Sequence, residues 1–241
     1  MKYSNLNRVY ITSKLLKNQT LKLSGNIFYY CTIVLRMKIL EQFRIFNQYD
    51  GEFVVQIIEI NKKYLQVAIG NKSRDVKYLK SLALGMCIIK PDRFLEAIKA
   101  AVQLGVSEII PIISNRTQFK NINYQRIKKC IIEAVEQSEG FVPPVLRLPI
   151  SLQEFCNKTN VEQIIIANEE EKESIKIHSI KDLKGNIALI IGPEGGLCPK
   201  EKIELLLNPK VISISLGGRI LRSEIAAITM IAYVNFMRNR K

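Results

Sequence analysis

The 241-residue chain lacks the features of disulfide-stapled, zinc-binding and membrane-spanning proteins. Its five cysteines are scattered, odd in number and never spaced as CxxC, which disfavours a disulfide framework and a structural zinc site. The longest apolar run, residues 225–237, is too short to cross a bilayer, and the N-terminus lacks the apolar core of a signal peptide. We therefore expect a cytoplasmic protein with reduced thiols and no membrane partner.

Residues that support nucleophilic or metal catalysis are also scarce. The single histidine, His178, lies in a polar segment far in sequence from the glycine-rich turns, where a solvated surface role is expected. His, Cys, Asp and Glu residues do not cluster at the spacing of metal ligands. The sequence thus predicts neither a Ser-His or Cys-His mechanism nor a metal cofactor.

Acidic residues are few: 22 Asp and Glu face 36 Lys and Arg, which gives a net charge of +14 and a pI near 9.6. Residues 1–75 carry half of this excess, with 12 basic and five acidic side chains, so positive charge is denser at the N-terminal end. A phosphate-rich partner is the usual physical reason for such a field. A basic surface that only confers solubility is the alternative.

The pattern of apolar residues changes near residue 75. Before it, short strand-like runs at 43–46, 53–58 and 64–69 are separated by Asn, Asp and Gly, which predicts a small β-barrel or sandwich over residues 1–74. After it, strands and helices alternate over residues 75–241, which predicts an α/β domain with a mostly parallel sheet. The predicted strands are 82–89, 108–112, 163–167, 186–191 and 211–216; the predicted helices start at Pro91 and cover 122–137, 199–207 and 221–238, with a capping box at Ser151 to Glu154 opening a short one.

Two glycine turns follow the last two predicted strands, IGPEGG at 191–196 and SLGGRILRSE at 215–224. Neither has the Lys-Ser/Thr of a P-loop or the GxGxxG of a dinucleotide fold, and Glu194 would repel phosphate. The turns favour a ligand that carries hydrogen-bond donors or positive charge, and S-adenosylmethionine meets that description. Turns without a ligand are the alternative. We expect both turns to form facing walls of one pocket.

The pair IGPEGG (191–196) and LGGRILRSEIAA (216–227) resembles the signature of the RsmE family of ribosomal RNA methyltransferases in the SPOUT superfamily. Further segments agree in order, namely RVY (8–10), IVLRM (33–37), IKPDRFLEAIKAAVQLGVSEIIPIISNRT (89–117) and EAVEQSEGFVPPV (133–145). The resemblance covers nearly the whole chain, and its two C-terminal motifs are specific.

The resemblance implies an N-terminal PUA-like β-barrel domain that binds RNA (1–74) and a C-terminal SPOUT-type α/β domain with a trefoil knot (75–241). It implies a homodimer that transfers a methyl group from S-adenosylmethionine to N3 of a specific uridine in 16S ribosomal RNA of the small subunit, without a metal. The terminal helix offers Ile228, Ile231, Ala232 and Phe236 for burial at a dimer interface. The cofactor residues implied by the motifs are Ile191, Gly192, Pro193, Glu194, Gly195, Gly196, Leu216, Gly217, Ile220 and Leu221.

Methylation of uridine N3 requires that its proton leave and that charge on the flanking carbonyl oxygens be stabilised. We predict Arg222 as the catalytic residue for the second task and Glu224 as the candidate proton acceptor. An acid in the first turn of a helix is also favoured by the helix dipole alone, which is the alternative for Glu224. The residues predicted to bind RNA are Arg8, Arg36, Arg93 and Arg116.

Three positions depart from the family pattern: Gly140 replaces an arginine, Gln103 an acidic residue and Ile225 a threonine. The first change bears on activity if that arginine touches RNA, unless Arg147 or Arg116 substitutes for it. Two alternatives to a 16S ribosomal RNA methyltransferase stand: an RNA-binding or assembly protein with weak or lost turnover, and a SPOUT methyltransferase that acts on transfer RNA.

Overall fold

A computed structural model describes residues 5–168, 175–176, 183 and 185–239. The acidic run at 169–173, which the sequence alone suggests is a solvated loop, and His178 lie outside the described residues. The chain divides into two compact units: Met1–Tyr78 with Val135–Val142, and Leu79–Ala134 with Pro143–Lys241. The predicted domain boundary at 74/75 lies close to the division between Tyr78 and Leu79, whereas the prediction places residues 135–142 in the second domain.

The first unit contains a five-stranded sheet in the order β1-β3-β4-β5-β2. Strands β3, β4 and β5 pair antiparallel, which confirms the three predicted runs, each of which is longer than expected. Strands β1 and β2 and the helical segment that follows β2 were not predicted. The elements are β1 (Arg8–Tyr10), β2 (Thr20–Ser24), α1 (Gly25–Tyr29) continued by a π-helical turn (Tyr30–Val34), β3 (Gln42–Asn47), β4 (Gly51–Ile60) and β5 (Tyr64–Arg74).

The turn between β3 and β4 is set by its polar residues. The Asn47 side-chain oxygen accepts hydrogen bonds from the backbone N–H groups of Tyr49 and Asp50, and Gly51 adopts φ +92°. This local chemistry fixes the hairpin, because Asn favours such a turn and Gly tolerates positive φ. Alternate residues of the strands then point inward and form the core of the unit, including Phe43, Ile45, Val55, Ile57, Leu65 and Val67.

A buried cluster of ionised side chains joins residues 135–142 to the first unit. Glu52 accepts from Arg8 Nε at 2.6 Å and from Arg74 Nη2 at 2.5 Å, and its side chain is 1% exposed. Glu139, in the turn after the helix that ends at Gln137, pairs with Arg44 at 3.0 Å and with Arg74 at 2.5 Å. Arg8 Nη1 also donates to the carbonyl of Val135 at 3.0 Å. These contacts explain why this segment belongs to the first unit.

The second unit contains an eight-stranded sheet in the order β11-β13-β10-β12-β6-β7-β8, with β9 also paired to β7. Every pairing among the described strands of this sheet is parallel, as predicted. The strands are β6 (Leu82–Cys87), β7 (Glu108–Ile113), β8 (Val145–Leu146), β9 (Ile150–Ser151), β10 (Gln163–Ala167), β11 (Ile175–Lys176), β12 (Ile187–Ile191) and β13 (Val211–Ser215). The helices are α2 (Pro91–Gln103), α3 (Tyr124–Gln137, whose last turn lies in the first unit), α4 (Leu152–Lys158), α5 (Pro199–Leu206) and α6 (Ser223–Asn239).

Local signals place these helices as expected. Pro91 occupies the first turn of α2, and its buried residues repeat at helical spacing: Phe94, Ala97, Ile98, Ala101 and Val102. The capping box of α4 is formed, since Glu154 N donates to Ser151 Oγ and Ser151 N donates to the Glu154 carboxylate, both at 3.1 Å. Helix α6 packs against α2 and β12. Within the described part of the chain, no helix is long and apolar enough to cross a membrane.

Candidate functional site

The two glycine turns lie at the same edge of the parallel sheet. Strand β12 leads into the first turn and β13 into the second, and β10 lies between them. The three strands run parallel, so their carboxyl ends open at one edge, where ligands bind in α/β sheets. In the sequence the two turns follow successive strands, β12 and β13. The sheet order shows in addition that the end of β10 lies between them.

A cavity of about 90 Å³ lies between the two turns. Seven of the ten predicted cofactor residues line it, which confirms that both turns share one cleft: Ile191, Gly192, Pro193, Gly196, Leu216, Gly217 and Leu221. The end of β10 contributes Ile166, Ala167 and Asn168, and the start of α6 contributes Ser223. Sequence analysis missed these residues, because only the strand order brings the end of β10 to the cavity.

The other three predicted cofactor residues lie beside the cavity without lining it. The Glu194 carboxylate accepts a hydrogen bond from Lys90 N at 3.3 Å. The Gly195 carbonyl accepts one from Arg116 Nη1 at 2.9 Å. Ile220 is 84% exposed. Glu194 and Gly195 therefore hold the first turn in place from its outer side.

Backbone conformation shows where glycine is needed in these turns. Gly196 has φ +65° and Gly217 has φ +124°, in the region that side chains disfavour. Gly196 N donates to the Pro193 carbonyl at 2.9 Å and closes the first turn. An added Cβ on Gly217 or Gly218 would meet no described atom within 4 Å. The second turn therefore leaves open space beside its backbone, as a bound ligand requires.

The two predicted catalytic residues occupy different environments. Arg222 is exposed and does not itself line the cavity, although its chain neighbours Leu221 and Ser223 do. Glu224 is buried in the first turn of α6, with one carboxylate oxygen 3.8 Å from Arg93 Nε. Its other oxygen, Oε2, has no hydrogen-bond partner among the described residues. This position fits the helix-dipole alternative, because Glu224 does not line the cavity described above.

The assignment of Arg8 to RNA binding is corrected by its burial. The residue is 6% exposed, its guanidinium pairs with Glu52 and the guanidinium carbon lies 3.4 Å from the centre of the Phe46 ring. Burial lowers the pKa of Arg8, although the hydrogen bond and charge of Glu52 oppose this change. An arginine that is enclosed in this way stabilises the first unit and is not available to a phosphate from solvent.

The other predicted RNA-binding arginines are accessible to different degrees. Arg36 is exposed in the first unit and has φ +55°. In the second unit, Arg93 is partly buried beside Glu224, and Arg116 is exposed while it donates to Gly195. Arg93 and Arg116 therefore contact the predicted site residues. Within the described residues, no group of three His, Cys, Asp or Glu side chains could hold a metal ion.

Comparison with known proteins identifies the family. The RNA methyltransferase domain family matches residues 77–235. Ribosomal RNA small subunit methyltransferase E of Rickettsia conorii is 42% identical over 241 residues, covering 98% of this chain and 97% of its own. The protein of the same name from Buchnera aphidicola (subspecies Acyrthosiphon pisum) is 30% identical, and the match covers 98% of this chain and 96% of that protein.

Solved structures agree with this result along almost the whole chain. A methyltransferase of Legionella pneumophila, in complex with S-adenosylmethionine, is 30% identical with a TM-score of 0.87, covering 96% of this chain and 97% of its own. Ribosomal RNA small subunit methyltransferase E of Neisseria gonorrhoeae, also bound to S-adenosylmethionine, is 25% identical with a TM-score of 0.85 and covers 96% and 98%. From its two glycine turns, its sheet and these relatives, we conclude that this chain belongs to the ribosomal RNA small subunit methyltransferase E family.

Proposed function

We propose that this protein transfers the methyl group of S-adenosylmethionine to N3 of a specific uridine in 16S ribosomal RNA of the small subunit. The observation that carries the proposal is that both glycine turns line the same cavity. Family membership supports it, because relatives of the same fold are solved with this cofactor. The net charge of +14 supports a nucleic-acid substrate.

The residues of the cavity suit the parts of this cofactor. Ile166, Leu197 and Leu216 offer an apolar surface to adenine, and Asn168 and Ser223 offer hydrogen bonds to hydroxyl groups. Arg219 offers positive charge to the carboxylate of the methionyl part. The turn at 217–220, which borders the cavity, is exposed.

The bound cofactor supplies an electrophilic methyl group on its sulfonium. N3 of uridine becomes nucleophilic as its proton leaves, and negative charge then spreads to the two flanking carbonyl oxygens. We assign Arg222 to this charge, since its chain neighbours line the cavity and its guanidinium faces solvent, from which the base would arrive. Glu224 is the proposed proton acceptor, through Oε2, the oxygen that has no hydrogen-bond partner in the described part of the chain.

We further propose a PUA-like barrel for the first unit and a trefoil knot for the second. The mixed five-stranded sheet and the dense N-terminal charge support an RNA-binding role for the first unit. The knot is supported by the family resemblance and by the strand order β13-β10-β12. Strands β12 and β13 follow each other in the chain, but β10 lies between them in the sheet. Arg36, Arg93 and Arg116 stay as proposed RNA contacts, and action on 16S ribosomal RNA places the protein in the cytoplasm.

A homodimer is the proposed assembly. One face of α6 carries three exposed apolar residues at spacings of seven and four: Ile225, Ala232 and Phe236. This face is the proposed dimer interface. Ile231, by contrast, is buried within the chain. Light scattering is expected to show twice the chain mass of 27.6 kDa. A species at 27.6 kDa across the working concentration range would contradict the dimer.

The departures from the family pattern are compatible with activity. Gly140 has room for a side chain, since an added Cβ would lie no closer than 3.5 Å to Ser138 Oγ. Gln103 and Ile225 are exposed at the end of α2 and the start of α6. Arg147 pairs with Glu108, whereas Arg116 lies beside the first glycine turn and is the better substitute for an arginine at position 140.

Isothermal titration calorimetry with S-adenosylmethionine tests the cofactor. We expect saturable binding at one site per chain, competed by S-adenosylhomocysteine. The RNA substrate is tested by methyl-transfer assays on small subunits from a strain that lacks the enzyme and on transfer RNA. Label in the small subunit alone supports the proposal. Cofactor binding without label in either RNA favours an assembly protein, and label in transfer RNA alone favours the transfer-RNA methyltransferase.

Replacing Gly196 with valine is expected to weaken S-adenosylmethionine binding by about a hundredfold or more. The residue lines the cavity with φ +65°, so a branched side chain strains the turn and occupies ligand space. Gly25→Val is the control, because Gly25 has φ +62° but lies in the first unit with no described atom within 4 Å of an added Cβ. Equal losses of affinity in both variants would argue against the cavity as the binding site.

A further inference from the structure

We propose that Glu201 is a positioning residue that holds the first glycine turn in its binding conformation. Its role is to connect the loop after β12 to the loop after β7 through backbone hydrogen bonds. The inference rests on the proposed function for the identity of the ligand, but the connection itself is visible without one. Glu201 lies in the first turn of α5 and is 9% exposed.

Both carboxylate oxygens of Glu201 are used within the protein. Oε1 accepts from the backbone N–H of Asn115 at 2.8 Å, and Oε2 accepts from the backbone N–H of Cys198 at 2.9 Å. Hydrogen bonds to an ionised carboxylate are stronger than those to a neutral acceptor. The side chain is therefore fixed between two loops and has no oxygen directed at the cavity.

The connection crosses the carboxyl edge of the sheet. Strand β6 lies between β12 and β7, so the two loops joined by Glu201 belong to strands that are not neighbours. Two further contacts join the same loops: Arg116 Nη1 donates to the Gly195 carbonyl at 2.9 Å, and Asn115 Nδ2 lies 3.3 Å from Cys198 Sγ. Glu201 is the charged, buried member of this set.

The loop that Glu201 fixes contains much of the cavity wall. Gly192, Pro193, Gly196 and Leu197 all lie between β12 and Cys198 and line the cavity, whereas Glu201 does not. A loop that is already ordered loses less conformational entropy when a ligand binds. Glu201 thus acts on cofactor affinity through the backbone, without contact to the reacting atoms.

The test replaces Glu201 with glutamine, which keeps the size but presents one N–H₂ group to a backbone donor. We expect the Kd and KM for S-adenosylmethionine to rise about tenfold, equivalent to about 1.4 kcal/mol, and kcat at saturating cofactor to stay within about twofold. Hydrogen exchange at the Asn115 and Cys198 amides is expected to accelerate in the free protein. Glu204→Gln is the matched control on the same helix. The Glu204 side chain is 54% exposed, and the substitution removes an exposed ion pair in which Oε1 lies 3.9 Å from Lys200 Nζ.

The outcomes separate the inference from the proposed function. Unchanged affinity and exchange in Glu201→Gln would overturn the inference, as would a lower kcat with unchanged KM. If the unaltered protein does not bind S-adenosylmethionine but exchange accelerates at these two amides, the connection stands and the proposed function fails. Should the glutamine variant not fold, Glu201→Asp retains the charge with a shorter reach, and the same two measurements on it decide.

Discussion

Replacing Arg222 with alanine is expected to lower the methyl-transfer rate by about a hundredfold to a thousandfold, while S-adenosylmethionine affinity and stability stay unchanged. The side chain is exposed, so its removal leaves no buried cavity. The residues on either side line the cavity, and we propose that the guanidinium of Arg222 reaches the reaction centre from the solvent side. Arginine stabilises charge that develops on the base in the transition state, so kcat falls more than cofactor binding. Single-turnover assays on small subunits, together with calorimetry, measure both effects.

Two further variants make the Arg222 result specific. Arg126→Ala removes another exposed arginine of the second unit, one that pairs with Asp92 at 3.1 Å, and is expected to retain normal turnover. Arg222→Lys keeps the charge but loses the planar donor geometry, so an intermediate rate is expected. Unchanged turnover in Arg222→Ala would remove this residue from the active site.

Replacing Glu52 with glutamine is expected to reduce the free energy of unfolding by about 3–5 kcal/mol, the usual loss when one partner of a buried ion pair is removed. Glu52 is 1% exposed and lies between Arg8, Arg44 and Arg74, at distances of 2.6, 3.5 and 2.5 Å. Without its charge, Arg44 and Arg74 still pair with the partly exposed Glu139, whereas Arg8 loses its carboxylate partner and keeps its hydrogen bond to the carbonyl of Val135. Urea unfolding followed by circular dichroism measures the loss.

The matched control for Glu52 lies on the same strand. Glu59 is exposed on β4 and accepts a hydrogen bond from Tyr64 Oη at 3.0 Å, so Glu59→Gln is expected to change stability by less than about 1 kcal/mol. Similar losses in the two variants would show that the buried cluster is not a special source of stability.

The same carboxylate predicts how stability depends on pH. Burial alone would raise the pKa of Glu52, but hydrogen bonds from Arg74, Arg8 and Ser73 outweigh it and lower the pKa from 4.5 to about 2. Because the folded-state pKa is depressed, the stabilisation is complete above pH 4.5 and is lost as the pH falls towards 2. Glu52→Gln should show a weaker loss of stability over this window. An identical acid profile in both proteins would contradict this origin.

Local sequence signals predicted the elements that depend on neighbouring residues. Pro91 with the helical spacing of apolar residues after it, and the capping box at Ser151, predicted where these two helices start. The runs before each glycine turn gave the strands that carry the site. Strand β1 has only three residues, too few to show a period. Strand β2 was also missed, although the alternation of polar and apolar residues in TLKLS (20–24) is a signal that could have predicted it.

Contacts between distant residues explain the other differences. Arg8 has the charge and position of an RNA contact in sequence, yet its hydrogen-bond partners are Glu52 and the carbonyl of Val135, which lie 44 and 127 residues away. The same contacts draw residues 135–142 into the first unit. Glu201 is similar, since its partner Asn115 lies 86 residues away. Neither pairing has a local pattern that could reveal it.

The sequence by itself determined that this protein has a parallel sheet, two glycine turns at strand ends and the motifs of its family, because strand periodicity and turn chemistry depend on adjacent residues. Only the tertiary structure decided that β10 lies between the two turns, that Arg8 is enclosed while Arg222 is exposed, and that Glu201 joins two loops. These features follow from strand order and burial, which arise when segments far apart in the chain pack together.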